Sequence, residues 1–225
     1  MKKKVLILVM TVILLTVGLS GCTQQENELQ NEQTVPPKTE TIQDILSKAA
    51  SIDSMYYEIA LSMDMSTYGS QTGTMKIWQK KPYFKEEITT HTAGITTTIT
   101  VIQQPNGTYL YEPLQGKYVL TTNIPSFATA LQYLDPTMIK DLINNQSLAD
   151  FETDIIDGKK ATIIDYSLSI PGDNQIAIQT WIWNEKGVPL KAYIDMAMDE
   201  FNMTMDFVFS NYSFNDIPDS TFDIT

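Results

Sequence analysis

Side chains able to do acid–base or metal chemistry are few in this chain, and their spacing suits neither. His91 is the sole histidine and stands in the polar run Thr89-Thr90-His91-Thr92. A zinc site gathers several histidine or cysteine ligands, and the one cysteine, Cys22, lies far away in sequence. Serine hydrolysis would need His91 beside an activated serine, yet no Gly-x-Ser-x-Gly elbow occurs. His91 therefore reads as a solvated residue near a strand end. Asp150, Glu152, Asp154 and Asp157 form an acidic cluster. It lacks the central glycine and terminal glutamate of a calcium loop. Strand alternation instead puts Glu152 and Asp154 together on one wet face. The expectation is a protein that is not an enzyme, with no catalytic residue, no metal site and no cofactor.

Cys22 carries a different chemistry. Residues 1–21 open with Lys2, Lys3 and Lys4, continue with the apolar run 5–17 and end in small residues. That is the secretory pattern, and the run is shorter than the roughly 20 residues a spanning helix needs. The ending Leu19-Ser20-Gly21-Cys22 resembles a lipobox, the site at which a lipid is attached to the cysteine thiol and the leader removed. Two acyl chains suffice for stable anchoring, and a single cysteine leaves no disulfide to form within the molecule. The expectation is a signal peptide over 1–21 and a protein held at the cell membrane, on the extracytoplasmic side, through lipidated Cys22. Residues 22–40 are rich in Gln, Asn, Glu and Thr and contain Pro36-Pro37, a composition suited to a disordered linker.

Charge excludes other partners. The formal charge of −12 becomes −15 once the three leader lysines are removed, and the chain has no arginine. Such a surface is repelled by nucleic acid backbones and by anionic membranes. No nucleic acid partner is expected, and the protein is expected to be monomeric.

The elements that must position any site are mostly strands. Residues 176–183, 189–198 and 202–214 alternate apolar and polar, as does the run from Tyr56 through Met65. Met203, Met205 and Phe207 share one face, Ile194 and Met196 another, and Leu61, Met63 and Met65 a third. Further strands are expected over 75–79, 83–90, 96–103, 108–111, 117–120, 151–156 and 160–170, with turns at 69–73, Pro105-Asn106-Gly107, Gly116 and Asp157-Gly158. Helical spacing marks 41–52, with Thr39 or Thr41 as its cap, and two short helices over 126–133 and 136–144. With 43% hydrophobic residues the chain can bury a sizeable core. The fold class is α+β: a long curved antiparallel sheet of about ten or eleven strands with short helices over its inner face.

Three segments then resemble the outer-membrane lipoprotein carrier superfamily, the LolA-like proteins, and related lipoproteins of archaea and Gram-positive bacteria. They are Lys76-Ile77-Trp78-Gln79-Lys80-Lys81-Pro82-Tyr83-Phe84-Lys85-Glu86-Glu87, then Thr180-Trp181-Ile182-Trp183-Asn184-Glu185-Lys186-Gly187-Val188-Pro189-Leu190-Lys191, and Tyr212-Ser213-Phe214-Asn215-Asp216-Ile217-Pro218-Asp219-Ser220-Thr221-Phe222. The resemblance implies an unclosed β-barrel over 41–225, capped by helices and holding acyl chains in an apolar cavity. Two departures argue against shuttling between membranes. The periplasmic carrier is soluble, whereas this chain carries an anchor signature. Some carriers also tie down the lid with an arginine in the segment matching 80–87, where Lys85 is the expected occupant here and offers no planar fork.

Methionine fills irregular space and adapts to varied partners. Leu61, Met63, Met65, Ile77, Ile194, Met196, Met203, Met205 and Phe207 are therefore candidate walls of a pocket for a lipid or acyl chain, or equally an ordinary core. Two functions stay open: a membrane-anchored module binding an apolar ligand, and a non-catalytic cell-surface structural or interaction lipoprotein with a self-filled core. Asn106, in the sequon Asn106-Gly107-Thr108 at a hairpin tip, is a possible glycosylation site.

Overall fold

A computed structural model describes residues 40–66, 69–92, 94–122, 131–143, 150–170, 174–197 and 202–224. The expected leader, Cys22, the linker up to residue 39 and most of the expected helix at 126–133 lie outside the described residues. In chain order the elements are α1 (Ile42–Ala50), β1 (Ser54–Met65), β2 (Gly69–Lys80), β3 (Tyr83–Thr92), β4 (Ile95–Gln104), β5 (Gly107–Glu112) and β6 (Lys117–Thr121). They continue with α2 (Pro136–Leu142), β7 (Thr153–Ile156), β8 (Lys159–Ile170), β9 (Asn174–Trp183), β10 (Pro189–Ala197), β11 (Asn202–Ser213) and a 3-10 turn at Asp219–Phe222.

The eleven strands form one antiparallel sheet in the order β6-β5-β4-β3-β2-β1-β11-β10-β9-β8-β7. Neighbours in space are neighbours in sequence except at the centre, where β1 pairs with β11. The edges β6 and β7 are short and do not pair, so the sheet is unclosed. Short edges limit the unpaired backbone on offer to another chain. The chain must travel from one edge to the other between β6 and β7, and that connection carries α2 across the inner face.

Alternation decides what lies beneath it. On the inner face Met63 stands opposite Met205, and Met205 opposite Ile194; one rung away Met65, Met203 and Met196 align. These residues, with Ile59, Ile77, Ile88, Ile178 and Phe207, form the main core, onto which Leu131 and Leu134 of the crossing connection pack. A second core places Ile42, Ile45 and Leu46 of α1 and Ile139 of α2 against Ile164 and Ile182.

Local chemistry fixes both helices. Thr41 caps α1 in a reciprocal box with Asp44, so the expected choice between Thr39 and Thr41 falls to the latter. Asp135 accepts from the Thr137 amide at 2.7 Å, and Pro136 fills the first turn of α2. Gln43 of α1 donates to the Lys140 and Ile143 carbonyls at 3.0 and 2.9 Å, satisfying the end of α2. From the sheet, the Tyr166 hydroxyl donates to the Tyr133 carbonyl at 2.6 Å.

The expected turn at 69–73 is corrected: Gly69 through Lys80 is continuous strand, and Gly73 pairs with Leu61. Gly73 marks a close approach in place of a bend, because a Cβ there would stand 3.0 Å from the Thr89 carbonyl oxygen. The hairpin at Pro105-Asn106 is present, with Gln104 paired to Gly107 and Asn106 exposed. The tail after β11 straps the outer face. Lys80 holds Asp216 at 3.0 Å and Asp219 at 2.8 Å, and Phe222 stacks on Tyr83 at 5.6 Å.

Candidate ligand-binding cleft

A cleft of about 730 Å³ opens where the inner face meets the helical layer. The strands supply its floor: Tyr57 from β1, Phe84 and Glu86 from β3, Phe209 and Tyr212 from β11. The crossing connection supplies its roof, with Leu131, Leu134 and Met138, and the end of α1 adds Ala49 and Ala50. Most of this wall is apolar, with phenol and amide groups at intervals.

Tyr212 reaches the cleft because β11 carries a bulge. Tyr56 pairs with Ser213 and Glu58 with Ser210, so Tyr57 alone faces both Asn211 and Tyr212. Asn211 takes a left-handed φ of 53° and the alternation shifts by one. Without the shift Asn211 would continue the inward row of Met203, Met205, Phe207 and Phe209. With it, Tyr212 stacks on Tyr57 at 5.3 Å and its hydroxyl donates to the Pro189 carbonyl. Asn211 instead donates outward to Glu58 at 2.9 Å.

Glu86 is the anomaly of the site. It lies on the inner face between Phe84 and Ile88, paired across the sheet with Ile77 and Val101. Its exposure is 0%, and neither carboxyl oxygen has a hydrogen-bond partner. Burial pushes its carboxyl up to about 7. The Tyr57 phenol is raised well above its ordinary value, first by burial and then by the negative charge of Glu86 and Asp135. Tyr212 is raised as well, by burial and then by Tyr57.

The residues singled out in the sequence lie elsewhere. Leu61, Met63, Ile77, Ile194, Met196, Met205 and Phe207 are buried in the main core, and Met65 and Met203 pack half-buried against it. None of these nine lines the cleft. Ile77, the cross-strand neighbour of both Tyr57 and Glu86, joins that core to the cleft floor.

Lys85 is a correction. It points to the outer face, with its ammonium 4.9 Å from the Trp78 ring and 3.2 Å from Glu87, so it cannot tie down the helices. The inward residue of that segment is its neighbour Glu86. The signal was present as a carboxylate interrupting the apolar row Phe84, Glu86, Ile88. His91 is exposed and contacts Thr96 at 3.0 Å, and Glu152 and Asp154 are exposed as expected. Among the described residues no cluster of His, Cys, Asp and Glu is able to hold a metal.

No family model matches this chain, and no curated protein matches it. Solved structures do. A LolA superfamily protein from Nitrosomonas europaea is 13% identical, with 82% of this chain and 98% of that one covered and a TM-score of 0.41. LprF from Mycobacterium bovis is 15% identical over 76% of this chain and 92% of its own, with a TM-score of 0.40. A putative outer membrane lipoprotein-sorting protein domain from Vibrio parahaemolyticus is 9% identical over 80% and 94%, with a TM-score of 0.37.

Proposed function

We propose that this chain is a membrane-anchored lipoprotein that binds a hydrophobic ligand, a lipid or a lipoprotein acyl chain, in the cleft of its half-barrel. The observation that carries this reading is the cleft itself. Its volume of about 730 Å³ falls in the range of small-molecule sites. Phe84, Leu131, Leu134, Met138, Val188 and Phe209 give it a wall that water solvates poorly. Burying a chain of about 16 carbons gains on the order of 12 kcal/mol before ordering and displacement costs.

The methionine rows are the deeper wall. Met63, Met65, Met196, Met203 and Met205 abut the cleft floor through Ile77 and can repack around a chain end that passes beyond it. The anchor is lipidated Cys22, supported by the leader pattern and the lipobox-like ending, and it holds the domain at the extracytoplasmic face. Among the described residues no helix is long and apolar enough to cross a membrane.

A second reading, a structural lipoprotein whose core is filled by its own side chains, has one observation in its favour. Seven of the nine candidate wall residues are already buried against their neighbours. Native mass spectrometry of the delipidated, refolded full chain offered dipalmitoyl phosphatidylethanolamine separates the two. One retained lipid per chain is expected, with occupancy at least ten-fold lower in Met138→Trp, which fills the cleft from α2. A wild-type chain that retains no lipid favours the self-filled core.

A further inference from the structure

A carboxyl group at the floor of an apolar cleft is an expensive feature that packing does not explain. Leucine at position 86 would continue the row of Phe84 and Ile88 between Ile77 and Val101. Glu86 instead leaves both carboxyl oxygens buried and without a partner, beside an open volume. A group so placed lacks its hydrogen-bond donor.

The rest of the cleft specifies that donor. Its other charged residues are Lys81, Asp135 and Asp141, so acids outnumber cations. The Lys81 ammonium is committed at the rim, 2.7 Å from the Ala50 carbonyl and 3.7 Å from Asp53. The Asp135 carboxyl is occupied by the Thr137 amide. The phenols of Tyr57 and Tyr212 line the cleft, and Phe84 and Phe209 add two further rings. A buried carboxylate on an apolar, ring-lined floor is the chemistry that pairs with an alkylammonium group, whose N–H donors satisfy its oxygens. A chain whose head is a carboxylate or phosphate without an ammonium group offers Glu86 a like charge and no donor.

We infer that Glu86, set on the cleft floor across Ile77 from Tyr57, is the head-group site of the cleft and selects amphiphiles that carry an ammonium group on an apolar chain. This rests on the reading of the cleft as a hydrophobic ligand site and adds the polar half of the ligand. The ammonium supplies the missing donors to the carboxylate, and the chain runs between Leu131, Leu134 and the floor. Proton uptake by Glu86 removes its charge, so affinity for a cation falls in acid while affinity for a neutral chain does not.

The test is a competition at pH 8 in which the full chain is offered equal concentrations of dodecylamine, dodecanol and dodecanoate, with bound species read by native mass spectrometry. Wild type is expected to hold dodecylamine at least ten-fold over the other two, and Glu86→Gln to bind dodecylamine and dodecanol alike. For the wild-type chain alone, lowering the pH from 8 to 5 is expected to erase the preference for dodecylamine over dodecanol. Equal binding of all three by wild type overturns the head-group site and leaves the apolar cleft standing. So does a preference that survives in Glu86→Gln or at pH 5. Failure of every one of the three to bind overturns the hydrophobic ligand reading itself.

Discussion

Burying a carboxyl group without a hydrogen bond favours its neutral form, and Glu86 shows the consequence in the unliganded protein. Its folded-state value near 7 stands above the ordinary 4.5. Between these values the native state holds a proton that the unfolded chain has released. Stability from this group is therefore fully present below pH 4.5 and is lost as the pH rises through 7. The loss amounts to about 3 kcal/mol at 1.36 kcal/mol per pH unit. Urea unfolding at pH 5 and pH 8 should show wild type losing about 2.5 kcal/mol more than Glu86→Gln across the interval. Equal slopes would mean that Glu86 is hydrated in solution. The alternation of Phe84, Glu86 and Ile88 was legible in the sequence. That Glu86 lies on the floor of a cleft was not, because this depends on its pairing with Ile77 and on what packs over that face.

Elements meet at the cleft through backbone contacts that side-chain patterns cannot report. The turn between β9 and β10 passes so close to α1 that a Cβ on Gly187 would stand 2.3 Å from the Ile45 carbonyl oxygen and 3.0 Å from the Ala49 amide nitrogen. Gly187 also has a φ of +74°, where a side chain is strained in any surroundings. Gly187→Ala is expected to cost about 2–4 kcal/mol, measured as a drop in the denaturant midpoint, because α1 must move off the sheet to admit a methyl group. A loss under about 0.5 kcal/mol would show the turn to be free of the helix. The glycine was readable as a turn residue in Trp183-Asn184-Glu185-Lys186-Gly187. Its second duty, keeping clear of α1, belongs to the packing. Gly73 teaches the complement: a second glycine four residues after Gly69 reads as a turn, yet sits in mid-strand where the Thr89 carbonyl leaves no room. The bulge at Asn211 is of the same kind, since one extra residue in β11 decides that Tyr212 and not Asn211 faces the cleft.

Across the whole molecule, pairing of the first strand with the last builds the sheet outward from its centre. Contacts there join residues as distant as Glu58 and Asn211, so the central ladder closes only after most of the chain has been made. It also sends β6 and β7 to opposite edges, and the connection between them becomes the roof of the cleft. The proposed anchor, Cys22, precedes α1 in the chain. Cys22→Ser is expected to move the protein from the membrane fraction to the soluble fraction on cell fractionation. Unchanged membrane retention would assign the anchor to the leader itself.

The sequence by itself determined the periods and the punctuation: where strands alternate, that helices begin near Thr41 and at Pro136, and how few groups could do metal or histidine chemistry. Those features depend on residues close together in the chain, so short-range rules suffice to read them. Tertiary structure alone decided that the methionine rows lie behind Ile77 and that Tyr57, Glu86 and Tyr212 share a cleft. That outcome depends on cross-strand register, on the bulge in β11 and on the route of the β6–β7 connection, each of which sets residues far apart in sequence beside one another.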